Sequence, residues 1–246
     1  GGTSAKDGST LEHVVNNIIL TNPERRVFVF SAPGKRSPDD IKVTDLLIKI
    51  GEAYQDAREY PTVLVDQLKK RFTDITDYFG IESLFLTTQF NLLEKAIKST
   101  NGDKAIYLDG IKPFGEIINS VIVAEVLRRK GVNAKVYYPE NIGVFTDGNF
   151  GNAKLKETSY SKIAEALKPV LETDELIIVP GFYGVDEYGR SATFPRGGSD
   201  LTGAILANAL NARLYENWTD TDGIRRADPK IVDDPDIIDR LTYKEA

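Results

Sequence analysis

Five short apolar runs, rich in β-branched and aromatic residues and bounded by turns, punctuate the chain. They are Val27-Phe-Val-Phe-Ser31, Lys104-Ala-Ile-Tyr-Leu108, Ala134-Lys-Val-Tyr-Tyr138, Leu176-Ile-Ile-Val-Pro180 and Leu214-Tyr-Glu-Asn-Trp218. Runs of this length predict strands buried on both faces of a parallel sheet. Between them, apolar positions recur at helical spacing over residues 10–21, 42–56, 60–77, 82–99, 115–130, 159–171 and 199–211. Strands alternating with helices predict an α/β fold with helices on both faces of the sheet. The helical stretches 60–77 and 82–99 follow each other without a strand, which predicts an inserted helical hairpin at about 60–99.

Composition narrows the chemistry. The 246 residues carry 41% hydrophobic and 28% charged side chains, ordinary for a globular domain. A net charge of −6 argues against nucleic acid or an anionic membrane as the main partner. No apolar run approaches the ~20 residues of a membrane span, and the N-terminal residues show no secretory signal, so a cytoplasmic location is expected. Cysteine is absent, which removes disulfides, thiolate nucleophiles and cysteine-held metals. His13 is the sole histidine and sits in a predicted amphipathic helix, where a surface or packing role is expected. The chain opens on Gly1-Gly2 and ends in a polar tail after Lys230, so a single domain cut short at both ends is expected, with no regulatory domain.

Candidate chemistry lies in the turns. Gly1-Gly-Thr-Ser4 precedes the first predicted helix, and glycines there let backbone N–H groups approach phosphate oxygens. A flexible terminus is the plain alternative. The loop Ser31-Ala-Pro-Gly-Lys-Arg-Ser-Pro-Asp-Asp-Ile-Lys-Val-Thr44 follows the first predicted strand at its carboxyl end, where open parallel sheets bind ligands. Lys35, Arg36 and Lys42 make it cationic, and Thr44 is placed to cap or begin the next helix. Glu116 opens the helix at 115–130, where it either complements the helix dipole or recognises an ammonium group. Arg196-Gly-Gly-Ser-Asp200 joins a bidentate donor for carboxylate to two glycines, with Ser199 or Asp200 placed to cap the following helix. Thr219-Asp-Thr-Asp-Gly223 offers hydroxyls and carboxylates to a nucleotide, or is a plain Asp-Gly turn. Ala227-Asp-Pro-Lys230 puts a cation after a rigid turn, suited to phosphate.

Taken in order, Gly1-Gly-Thr-Ser4, Ser31-Ala-Pro-Gly-Lys…Lys-Val-Thr-Asp-Leu-Leu47, Gly115-Glu116, Pro180-Gly-Phe-Tyr-Gly184, Arg196-Gly-Gly-Ser-Asp200 and Trp218-Thr-Asp-Thr-Asp-Gly…Ala-Asp-Pro-Lys230 resemble the amino-acid kinase family, and within it the aspartate kinases. The resemblance covers nearly the whole chain. It implies a three-layer α/β/α sandwich with a mainly parallel central sheet. It implies phosphorylation of the side-chain carboxylate of L-aspartate by ATP with Mg²⁺, and a homo-oligomer for the full-length protein. Carried over, Gly1, Gly2 and Thr3 line the transferred phosphate, with Asp200 orienting the substrate. Ser31, Thr44, Glu116, Arg196 and Ser199 surround aspartate, and Thr219, Asp220, Arg225 and Lys230 approach the nucleotide. No protein metal site is implied. The family carries a lysine and an aromatic residue before the two glycines, ahead of where this sequence starts. Arg225 stands where the family commonly has an aromatic residue, and Lys230 where it has arginine. Two rivals remain at this stage: a kinase of the same fold acting on glutamate, acetylglutamate or a nucleotide, and a non-catalytic binding domain.

Overall fold

The computed structural model describes residues 2–99, 103–195, 197–219, 223, 225–226 and 231–238. In chain order, helix α1 (Gly8–Val14) continues as a π-helical turn (Val15–Ile19) and leads into strand β1 (Val27–Phe30). Helices α2 (Val43–Ala57), α3 (Thr62–Tyr78), α4 (Thr87–Lys98), α5 (Lys104–Ile111) and α6 (Phe114–Arg129) follow. Then come β2 (Ala134–Val136), α7 (Pro139–Ile142), α8 (Thr158–Leu171), β3 (Leu176–Pro180), the hairpin β4 (Tyr183–Val185) and β5 (Ser191–Thr193), and α9 (Gly198–Ala209).

β3 is the central strand, with β1 and β2 parallel on either side, in the registers Val27↔Ile177 and Ala134↔Leu176. Its side chains alternate between two cores. Ile178 joins a cluster with α1 through α6, while Ile177 and Val179 join one with α7, α8 and α9. Helices therefore cover both faces of a parallel sheet, the expected three-layer sandwich.

Two predicted strands are corrected. Residues 104–108 open helix α5, because the Asp103 carboxylate accepts from the backbone N–H of Ala105 (2.7 Å) and Ile106 (3.2 Å) and caps the first turn. Periodicity over five apolar residues cannot separate a strand from a buried helix; the cap decides it. Residues 214–218 form no strand. They are held beside β1 through side chains: Arg25 pairs with Glu216 at 2.6 Å and lies 5.3 Å from the Trp218 ring centroid. Both this segment and β1 line a cavity of about 440 Å³. The β4–β5 hairpin carries no alternating signal that marked it in the sequence. Its turn is built by buried Asp186, which accepts from the N–H groups of Tyr188 and Arg190, with Gly189 at φ +75°.

The hairpin is tied to α5 by Asp109, which is fully buried. Its carboxylate accepts from the N–H of Thr193 and Gly151 (both 2.7 Å), the Thr193 hydroxyl (2.8 Å) and Lys112 Nζ (2.7 Å). A buried carboxylate this well supplied with donors holds its neighbours in one arrangement.

Candidate active site

The loops leaving the carboxyl ends of β1 and β3 meet the first turns of α2, α6 and α9 around a cleft of about 860 Å³. Gly2, Thr3, Ser31, Thr44, Glu116, Ser199 and Asp200 all line it. Seven of the residues singled out in the sequence, spread over two hundred positions, thus share one wall. Gly1, Arg196, Asp220 and Lys230 lie outside the described residues. Thr219 and Arg225 do not line the cleft. Arg225 instead pairs with Asp234 at 3.1 Å, donates to the Pro235 carbonyl and bridges to Ile237.

Three helix N-termini converge on the cleft without a side-chain cap. α2 follows Lys42, α6 follows Pro113 and α9 follows Gly197. Thr44 begins α2 rather than capping it, and the cap expected from Ser199 or Asp200 is not formed. Thr44 lies inside the first turn of α2, and Ser199 and Asp200 lie inside that of α9, beyond its Gly197 cap at φ +83°. Uncapped N–H groups and the positive ends of three dipoles make a field suited to an anion.

Glu116 sits within this field yet is 4% exposed. Gly115 makes that possible: a Cβ there would come within 2.6 Å of the Ala32 Cβ, so only glycine lets α6 pack this close to the segment after β1. Glu116 Oε1 then accepts from the Ala32 N–H at 2.9 Å, while Oε2 has no hydrogen-bond partner among the described residues. Burial pushes the carboxyl up to about 8, only partly opposed by the Ala32 N–H. Near neutral pH it is therefore mostly protonated and adds little repulsion toward an incoming anion. An ammonium group placed at Oε2 would ionise it.

Sequence reading missed three parts of this site. Phe182 takes φ +80°, uncommon for a bulky residue, and its ring covers Gly198, where a Cβ would meet Phe182 Cδ2 at 2.9 Å. Asn119 donates to the Ser31 carbonyl at 2.8 Å and fixes the end of β1. Arg71, on α3, reaches the Gly34 and Ile41 carbonyls of the cationic loop. Arg71 did leave a trace, an arginine on the stripe that buries Val65, Leu68, Phe72 and Ile75. A charge on a buried face signals a specific partner. His13 is exposed and contacts Asn17, as expected of a surface residue.

Residues 1–246 match the description "Amino acid kinase family". The chain belongs to the amino acid kinase family. Among curated relatives, it is 37% identical over 245 residues to "Aspartokinase 3" of Bacillus subtilis, covering 100% of this chain and 53% of that protein. It is 28% identical to "Lysine-sensitive aspartokinase 3" of Escherichia coli, again over 100% of this chain and 53% of the relative. Among solved structures, the Clostridium acetobutylicum aspartate kinase superposes with a TM-score of 0.80 at 33% identity, covering 100% of this chain and 52% of that one. The E. coli aspartokinase III complex with aspartate and ADP gives 0.79 at 26%, over 97% of this chain and 52% of that one. The chain spans about half the length of the relatives it matches.

Among the described residues no helix is long and apolar enough to cross a membrane.

Proposed function

We propose that the chain carries the catalytic domain of an aspartate kinase, which transfers the γ-phosphoryl group of ATP to the side-chain carboxylate of L-aspartate and yields 4-phospho-L-aspartate. One observation carries the reading most: Glu116, a buried carboxyl with one oxygen lacking a hydrogen-bond partner among the described residues, lines a cleft at which three helix N-termini without side-chain caps meet. That pairing fits a ligand bearing both an ammonium group and anionic oxygens. The named relatives support the choice of aspartate among such ligands.

In this reading Glu116 receives the substrate ammonium. Thr44 and Ser199, in the first turns of α2 and α9, offer hydroxyls to carboxylate and phosphate oxygens at helix N-termini that carry no side-chain cap. Ser31, at the end of β1, and Gly2 with Thr3 line the same cleft. The carboxylate nucleophile is ionised near neutral pH, so no strong base is needed, and the chemistry rests on positioning and charge stabilisation. Mg²⁺ belongs with the nucleotide substrate and would supply charge neutralisation on its phosphates. Asp200, exposed at the rim, is placed to orient aspartate. Arg196, Thr219, Asp220, Arg225 and Lys230 keep their family-implied roles toward carboxylate and nucleotide as part of the proposal.

The test is an acceptor screen with MgATP, in which hydroxylamine traps acyl phosphates as hydroxamates. Aspartate should give hydroxamate and ADP while glutamate, acetylglutamate and UMP do not. Turnover of another acceptor in place of aspartate would reassign the enzyme. Tight binding of ATP and aspartate by calorimetry without turnover would make the chain a binding domain.

A further inference from the structure

The loop between β1 and α2 forms one whole side of the cleft, with Gly34 to Pro38 and Lys42 lining it. This twelve-residue loop has two prolines and several exposed charges, and its apolar anchors, Ala32 and Ile41, lie near its ends. It is held by a side chain from outside the cleft. Arg71, 4% exposed on α3, donates through Nη2 to the Gly34 carbonyl at 2.7 Å and through Nη1 to the Ile41 carbonyl at 2.8 Å. Nη1 also lies 3.0 Å from Asp40 Oδ2. The two carbonyls stand at opposite ends of the loop, so one planar guanidinium clasps both of its legs. An ammonium group is a point donor and does not span the pair in this way.

The clasp continues into the cleft. Gly34 N–H donates to the Gly2 carbonyl at 2.8 Å, and a Cβ at Gly2 would fall 2.6 Å from the Ala32 oxygen. The two backbones lie too close to slide independently. Asp40 secures the outer edge, accepting from the N–H and Nε of Arg36 at 3.0 and 2.9 Å. Burial pulls the Asp40 carboxyl upward, but the Arg36 hydrogen bonds and the charges of Arg71 and Arg36 outweigh it and leave it at about 2. Asp40 stays charged through the neutral range.

We propose that Arg71 is a positioning residue for the phosphoryl transfer assigned above: it reaches from α3 to fix the Gly34 loop against Gly2, and so sets the shape of the substrate cleft without touching substrate. On this view α3 serves the active site. The proposal rests on the aspartate kinase reading for its kinetic consequence and on geometry alone for its mechanical one, so it is tested in two arms.

The first arm needs no activity. Lys35 and Arg36 are exposed trypsin sites within the clasped loop. Limited trypsinolysis of the folded chain, mapped by mass spectrometry, should show cleavage after residues 35 and 36 about 10-fold faster in Arg71→Met, relative to other sites, and an intermediate rate in Arg71→Lys. If Arg71→Met fails to fold, Asp40→Asn weakens the same clasp from the exposed side and should accelerate cleavage at the same two bonds. A lowered Tm with unchanged relative cleavage there would overturn the proposal, leaving Arg71 as a packing residue of α3. The second arm is steady-state kinetics, where Arg71→Met should raise the aspartate KM about 10-fold with a smaller change in kcat, and Arg71→Lys should recover part of it. An equal fall in kcat at constant KM would also overturn it. A wild-type chain that never phosphorylates aspartate refutes the functional reading, while the proteolysis arm still decides the clasp.

Discussion

Replacing Glu116 by glutamine isolates the feature on which the functional reading leans most. Glutamine keeps an acceptor for the Ala32 N–H and nearly the same volume, but cannot ionise. In the folded wild type the carboxyl titrates at about 8, against 4.5 in the unfolded chain. The folded state therefore holds a proton that the unfolded state has already released between these values. Unfolding stability falls as pH rises through this window, with full stability present below 4.5. Linkage gives a loss of roughly 2.5 kcal/mol between pH 5 and pH 7, out of a total of about 5 kcal/mol between pH well below 4.5 and pH well above 8. In Glu116→Gln this component vanishes, so the variant gains on wild type by that amount as pH rises. Urea denaturation at pH 5, 6, 7 and 8 without ligand, taking the difference between the two proteins at each pH, measures it directly. A constant difference across the series would show that the carboxyl is hydrated and ionised in the folded protein, and would remove the basis for treating it as a neutral receptor for ammonium.

Three further outcomes follow from the same geometry. If an ammonium group ionises Glu116, aspartate binding at pH 7 should release about 0.9 proton in wild type and close to none from this position in Glu116→Gln; calorimetry in buffers of different ionisation enthalpy reads the number. Gly198→Ala places a methyl 2.9 Å from Phe182 Cδ2 and 3.0 Å from Phe194 Cβ, so it should cost about 1–3 kcal/mol in urea melts and weaken ADP binding through displacement of the α9 first turn. Asp109→Ala leaves the Thr193 and Gly151 N–H groups without their carboxylate partner and should destabilise the fold by about 3–5 kcal/mol, with hydrogen exchange speeding first at the β4–β5 hairpin.

The sequence by itself determined the layer architecture and most of the cleft's membership. Val27 to Phe30 and Leu176 to Pro180 are uninterrupted apolar runs, and such runs can satisfy backbone and side chains together only inside a covered sheet. Glycine-rich turns after those strands were legible as ligand-facing for the same reason, and Ser31, Thr44, Glu116, Ser199 and Asp200 do line one cleft. Residues 104–108 and 214–218 were misread because a strand is a relation between two backbones. In the first segment Asp103 satisfies the N–H groups locally, and in the second the contacts to the chain beside β1 run through the side chains of Arg25, Glu216 and Trp218.

Only the tertiary structure decided what the site residues are in physical terms. Glu116 could as well have been an exposed carboxylate at a helix start. Its protonation at neutral pH comes from Gly115 letting α6 press against Ala32, a contact across more than eighty residues of sequence. Arg71 and Gly34 are likewise remote in the chain, and their hydrogen bond exists because α3 packs under the loop. Local pattern sets which residues are apolar and where the backbone turns; burial, and with it charge state and orientation, depends on which distant segment removes the water.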